Sequence, residues 1–127
     1  MSRDAMKATA GKLVAHCRAG TERQGLQELY DPDAVSVEPM AMPGSGSAET
    51  RGLKGIEGKH DWWDSTMEVH SASVDGPYPH GDDRFAVIFE FDSTDRASGQ
   101  RNKMREVAVY TVNPAGKIVR EEFFYGG

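Results

Sequence analysis

The sequence predicts an α+β fold, an antiparallel sheet with about three helices against one face. Two observations predict it. The stretch Lys103–Tyr125, KMREVAVYTVNPAGKIVREEFFY, reads as two long strands around a tight turn. Ahead of it, helical and alternating apolar patterns follow in the order helix, helix, strand, helix, then four strands. At 127 residues the chain is expected to be one domain, residues 1–127, with a small core.

The turn of the C-terminal hairpin is Asn113-Pro114-Ala115-Gly116. Proline presets φ there, and glycine takes the position that needs φ > 0. A four-residue loop pairs Val112 with Lys117, Tyr110 with Val119, Ala108 with Glu121, Glu106 with Phe123 and Met104 with Tyr125. Alternation puts these ten residues on one face. That face is apolar apart from Lys117, Glu106, Glu121 and two tyrosine hydroxyls. An ionised carboxylate in a dry core is costly, so each glutamate must be solvated, paired or protonated. A pocket lined by this face would meet that need; a sheet edge open to water is the plainer alternative. The opposite face, with Val107, Val109, Ile118 and Phe124, is mixed and suits pairing with a second copy of the chain.

From the N-terminus, residues 2–18 carry Met6, Ala10, Leu13, Val14 and Cys17 at helical spacing, and Gly20 ends the run. Cys17 on that stripe reads as a small hydrophobe. A second short helix starts at Thr21 or Glu22, buries Leu26 and Leu29, and stops before Asp31-Pro32. Ala34–Glu38 alternates as a short strand, with Ser36 and Glu38 on one side, ended by Pro39. Residues 40–51 have the composition of a flexible loop, whose Met40 and Met42 suit the mouth of a pocket. Residues 53–66 form a third helix, with Ile56, His60, Trp63 and Met67 on its inward stripe. A histidine there is a satisfied core residue or a hydrogen-bond donor to a ligand. Strands follow at 68–75 and 85–92, separated by a turn-rich loop at 77–83. The second places Phe85, Val87, Phe89 and Phe91 on one face.

The net charge of −5 argues against a nucleic-acid partner, whose footprint would be a basic stripe. No apolar run approaches the roughly 20 residues of a membrane span. The start of the chain lacks the apolar segment of a signal peptide, and the single cysteine fits a reducing, cytoplasmic setting. His16, His60, His70 and His80 make no recognisable ligand spacing, so no metal and no cofactor is expected. There is no Gly-x-Ser-x-Gly elbow or Cys–His signature. The Gly-Ser run at 44–48 lacks the Gly-Lys-Ser/Thr of a phosphate loop.

Three segments, AHCRAGTERQGLQELYDPDAVSVEP, RGLKGIEGKHDWW and EVAVYTVNPAGKIVREEFFY, in that order and spacing, resemble the SnoaL-like group of the nuclear-transport-factor-2-like, ketosteroid isomerase-like superfamily. The resemblance covers nearly the whole chain. It implies a strongly curved sheet wrapped around the helices, a cone with an internal pocket, and dimers through the outer sheet face. Glu38-Pro39 matches the place of the ketosteroid isomerase base. The places of that enzyme's oxyanion-hole tyrosine and acid hold Leu13 and Ala108, with Glu106 one pleat from Ala108. The acid of the epoxide-hydrolase branch is replaced by Phe123. The superfamily hosts isomerases, dehydratases, cyclases and proteins without chemistry, so the fold locates a site but does not name a reaction.

Three functions compete. The first is an acid–base enzyme acting on an apolar carbonyl-bearing metabolite. Glu38 would be the base, Glu106 a second carboxyl kept partly protonated, and His60 or Tyr110 a donor. Trp63, Phe89, Glu121, Phe123 and Tyr125 would complete the ligand-binding lining. The second is a protein that binds such a small apolar or amphipathic molecule without turnover. The third is an interaction module whose cone is filled by its own Trp63, Phe89, Phe123 and Tyr125. A homodimer through the outer sheet face is expected in all three.

Overall fold

The computed structural model describes residues 2–41 and 46–125 of the chain. Helix α1 (Ser2–Ala19) buries Met6, Ala10, Leu13 and Val14 along one stripe and ends at Gly20, whose φ of 73° suits a residue without a side chain. Helix α2 (Glu22–Leu29) buries Leu26 and Leu29. His16 ties α1 to α2, with Nδ1 on the Thr21 hydroxyl and Nε2 on Glu28, both at 2.7 Å. Helix α3 (Gly52–Thr66) buries Ile56, and Arg23 of α2 forks to its Asp61 and Asp64 at 2.6 and 2.8 Å.

The strands are β1 (Tyr30–Val37), β2 (Glu49–Arg51), β3 (Met67–His80), β4 (Arg84–Asp95), β5 (Arg101–Val112) and β6 (Ile118–Phe124). They form one sheet in the order β2-β1-β6-β5-β4-β3. The expected α+β architecture is present, with one refinement: β1 runs parallel to β6, so the sheet is mixed. Most of the chain separates these two strands, so no local turn sets their direction.

Helix α3 touches β1 and β2 at one edge of the sheet and β3 at the other. Six flat strands would span about 24 Å at their normal spacing, and a helix is only about 10–12 Å thick. The sheet must therefore curl around the helices. Met6, Leu13, Leu26, Ile56, Phe85, Val87, Ala108 and Ile118 fill the inside of the curl. Among the described residues no helix is long and apolar enough to cross a membrane.

Three local expectations need correction. Residues 77–80 are not loop but the end of β3, whose register shifts between Asp75 and Tyr78. β3 is an edge strand with β4 as its one partner, so Pro77 and Pro79 can sit where no ladder bond is needed. The segment read as loop over 40–51 contains β2, which pairs antiparallel with β1 and takes its order from that pairing. Met40 is exposed, and Met42 lies outside the described residues, as do the first two residues of the Gly-Ser run.

The hairpin register also differs. Val112 pairs with Ile118, Tyr110 with Glu121 and Ala108 with Phe123. The loop is one residue longer because Lys117 N–H bonds the Asn113 side chain at 2.9 Å, while Asn113 N–H bonds the Lys117 carbonyl at 2.9 Å. A bulge at Val119 then absorbs an extra residue. Ile118, expected on the outer face, is instead fully buried inside. The shift on the far side of the bulge is two residues, so Glu106, Ala108, Tyr110, Glu121 and Phe123 keep a common inner face.

Candidate functional site

Inside the curl, polar side chains from β1, α3, β5 and β6 meet. Ser36 and Glu38 project to the same side at the end of β1, where Glu38 N–H bonds the Ala48 carbonyl at 2.9 Å and holds the strand end in place. Lys59, one turn past Ile56 on α3, donates to Ser36 Oγ at 2.6 Å and Glu38 Oε2 at 2.5 Å. Tyr125 donates its hydroxyl to Glu38 Oε1 at 2.7 Å. Ser36 in turn donates to Glu121 Oε2 at 2.6 Å, and the Tyr30 hydroxyl donates to Glu121 Oε1. Both oxygens of each of these two carboxylates are occupied by protein donors. Desolvation, with Glu121 and other neighbours adding, raises the Tyr30 hydroxyl well above the usual tyrosine range, so it stays a donor.

Glu106 is different. It projects into the same interior from β5, directly across from Phe89 of β4, and is half-buried. It makes no hydrogen bond or ion pair among the described residues. Burial, then the charges of Glu38 and Glu121, push its carboxyl up to about 7, against a smaller opposing effect of Lys59. Three carboxyls thus face one ammonium, and Glu106 is the one without a protein donor among the described residues. Tyr110, two pleat positions along on the same face, is 3 % exposed and stacks on Phe85 at 5.0 Å. Its hydroxyl makes no hydrogen bond among the described residues. Burial, Glu121, Cys17 and Glu106 raise it well above the usual range. No fully buried side-chain nitrogen or oxygen among the described residues lacks a partner, so the unpartnered Glu106 carboxyl and Tyr110 hydroxyl both keep contact with open space. A carboxyl and a hydroxyl without protein partners, facing one interior, are what a ligand or water would satisfy.

Aromatic rings flank these groups. Trp63 on α3 lies 5.5 Å from Phe91, and Phe91 stacks 6.0 Å from Phe89. Phe123 carries the Lys59 ammonium 5.1 Å from its ring centroid. The structure therefore gathers Glu38, Glu106, Glu121, Phe123 and Tyr125, with Tyr110 deeper in and Trp63 and Phe89 along the wall. His60 is half-buried on α3 but makes no hydrogen bond or ion pair among the described residues. The residue before it, Lys59, is the one that reaches the carboxylates.

Lys59, Ser36 and Tyr30 were missed by sequence reasoning. Lys59 and His60 both satisfy helical spacing from Ile56, at i+3 and i+4, and an apolar-stripe argument passes over lysine. Ser36 and Tyr30 had a weak signal, since Ser36 alternates with Val35 and Val37 on the side of Glu38. Cys17 is an inert thiol, pushed up to about 12 by burial first and by Glu22 and Glu121 next. Among the described residues no group of three or more His, Cys, Asp or Glu is placed to hold a metal ion. A separate open groove of about 440 Å³ lies on the outer face of β3, β4 and β5, between Ser71, Ser73, Glu90, Asp92, Lys103 and Arg105.

The model of the SnoaL-like domain family matches residues 11–125. A protein of Mesorhizobium loti, provisionally named a SnoaL-like polyketide cyclase, is 36% identical and superposes with a TM-score of 0.85, covering 94% of this chain and 97% of that one. A Mycobacterium tuberculosis protein in complex with estradiol-17β-hemisuccinate is 18% identical, with a TM-score of 0.73 and coverage of 96% and 94%. A computationally designed 17-OHP binder is 17% identical, with a TM-score of 0.67 and coverage of 96% and 93%. The last two show the fold alone. Among curated proteins, none matches. With the family model spanning almost the whole chain and the mixed, curled sheet in place, the chain belongs to the SnoaL-like family.

Proposed function

We propose that the interior of the curl binds a small apolar, carbonyl-bearing molecule and that Glu106 moves a proton on it. One observation carries this reading: Glu106 is a carboxyl raised to about 7, with no protein partner, beside a lysine–carboxylate pair. A group with a pKa near the working pH can both give and take a proton. Glu38 is less suited to be the base that its position suggests, because Tyr125 and Lys59 occupy both of its oxygens. Its part is electrostatic. It keeps Lys59 in place; Ser36 and Glu38 take two of the Lys59 N–H groups and the Tyr125 proton is spent on Glu38, so the third Lys59 N–H is the donor left for a carbonyl oxygen. That donor stands in for the oxyanion hole whose places are taken by Leu13 and Ala108.

The reaction class is proton transfer next to a carbonyl, as an isomerase, dehydratase or cyclase needs. A probe that does not require the natural substrate is 2-tetralone in deuterated buffer, with deuterium uptake beside the carbonyl followed by NMR. The protein is expected to accelerate uptake over buffer, and Glu106→Gln to lose roughly 100-fold or more of that acceleration. Uptake at the buffer rate with 2-tetralone bound would leave the second reading, binding without turnover. That reading has its own support, since two neighbours of the same fold are described with steroid-type ligands.

We propose further that two copies pair through the outer face of the sheet. There Tyr78 and Phe124 are exposed, and Ile88, Val107 and Val109 lie between them across β4 and β5. Light scattering at tens of micromolar is expected to give twice the mass of the chain. A monomer mass at that concentration would remove the dimer.

A further inference from the structure

We propose that the interior site is selective for charge, admitting apolar ligands that carry a protonated amine in preference to neutral ones and rejecting those that carry a carboxylate. This rests on the reading of the curl as a ligand site and goes on to name the ligand's charge.

The side chains around Glu106 and Glu121 set the charge balance. From α3 comes one cation, Lys59, and from β1 and its end come Glu38 and Tyr30. From β6 and its end come Glu121 and Tyr125, from β5 Tyr110, and from α1 Cys17. The tyrosines and the thiol are all raised by burial and nearby carboxylates, so they remain uncharged. Lys59 is already committed to Glu38. What is left for an incoming ligand is a net negative interior with one acid, Glu106, and one hydroxyl, that of the largely buried Tyr110, without a partner among the described residues.

The walls agree with that charge. Glu106 lies directly across from Phe89, with Phe91 and Phe123 on the diagonals and Trp63 against Phe91. Aromatic faces attract cations, and Lys59 already lies over the Phe123 ring. An ammonium group beside Glu106 would take the place of its proton, so cation binding and proton release are coupled. A carboxylate in the same place would meet Glu38 and Glu121, whose two charges the single Lys59 ammonium does not balance.

The test uses three probes of one shape: benzylamine, benzyl alcohol and benzoate. They are titrated into the full chain, with the Trp63 indole N–H and the Glu106 carboxyl followed by NMR. At about pH 8, benzylamine is expected to bind at least about tenfold more tightly than benzyl alcohol, and benzoate more weakly than either. At about pH 5.5 the advantage of benzylamine should shrink to a few-fold, because Glu106 is then protonated. In Glu106→Gln the advantage should be small at both pH values. Benzoate binding as well as benzyl alcohol, or an amine advantage equal in Glu106→Gln, would overturn the charge selection while leaving the ligand site intact. No response at Trp63 to any of the three would remove the site and the inference together.

Discussion

Replacing Glu106 by glutamine is expected to stabilise the protein at neutral and alkaline pH and to flatten its stability profile. The sign follows from the direction of the shift. The folded-state value of Glu106 is raised from 4.5 to about 7, so the native state holds its proton more tightly than the unfolded state does. The favourable contribution is complete below the unfolded value and is lost as pH rises through the folded value. Above that window the native state must hold an ionised carboxyl against Glu38 and Glu121. Glutamine is never charged and removes this cost. The expected gain is on the order of 2 kcal/mol at about pH 8, vanishing near pH 4, a figure kept below the full shift because the side chain is only half-buried. Urea denaturation of both proteins across that range measures it. A difference that does not change with pH would show that Glu106 does not carry an elevated pKa.

Lys59→Met is expected to act in the opposite direction. Lys59 and Glu38 are 14% and 11% exposed at their side chains, and their 2.5 Å contact is, among the described residues, the one ion pair of the interior site. Removing the ammonium leaves Glu38 with the Tyr125 hydroxyl as its remaining donor and deprives Ser36 of a donor. Breaking one side of a largely buried pair typically costs about 3–5 kcal/mol, and this partly open site should fall near 2–4 kcal/mol. The same substitution should raise the Glu106 value further, since Lys59 is the neighbour that lowers it. Adding Glu38→Gln to Lys59→Met should recover part of the loss, because the uncompensated charge is then gone. If the double variant is as unstable as the sum of its two single variants, the two side chains do not act as a pair.

How much of this was legible in the sequence depends on the range of the interaction. Period-2 alternation along β5 put Glu106 and Tyr110 on one face, and the structure keeps them there because alternation is a property of a single strand. The hairpin register was not legible. It turns on the Asn113 side chain capturing the Lys117 N–H and on a bulge at Val119, and a short loop motif specifies neither. That bulge moved Ile118 from the expected outer face into the core. The parallel pairing of β1 with β6 joins strands more than 80 residues apart, beyond any local pattern. Lys59 was hidden for another reason. A long side chain on the flank of an amphipathic helix can lie outward or inward, and here the Glu38 carboxylate at the end of β1 and the Phe123 ring draw it in. Local pattern located the acids of the site, and tertiary structure decided which of them is paired and which is free.

The measurement that bears most directly on this account is an NMR pH titration of the Glu106 side-chain carboxyl, assigned with Glu106→Gln. An apparent value near 7, lowered by benzylamine and raised in Lys59→Met, is the result expected of an unpartnered, proton-carrying acid inside the curl. A value near 4.5, unmoved by either change, would place the carboxyl in water and contradict the account.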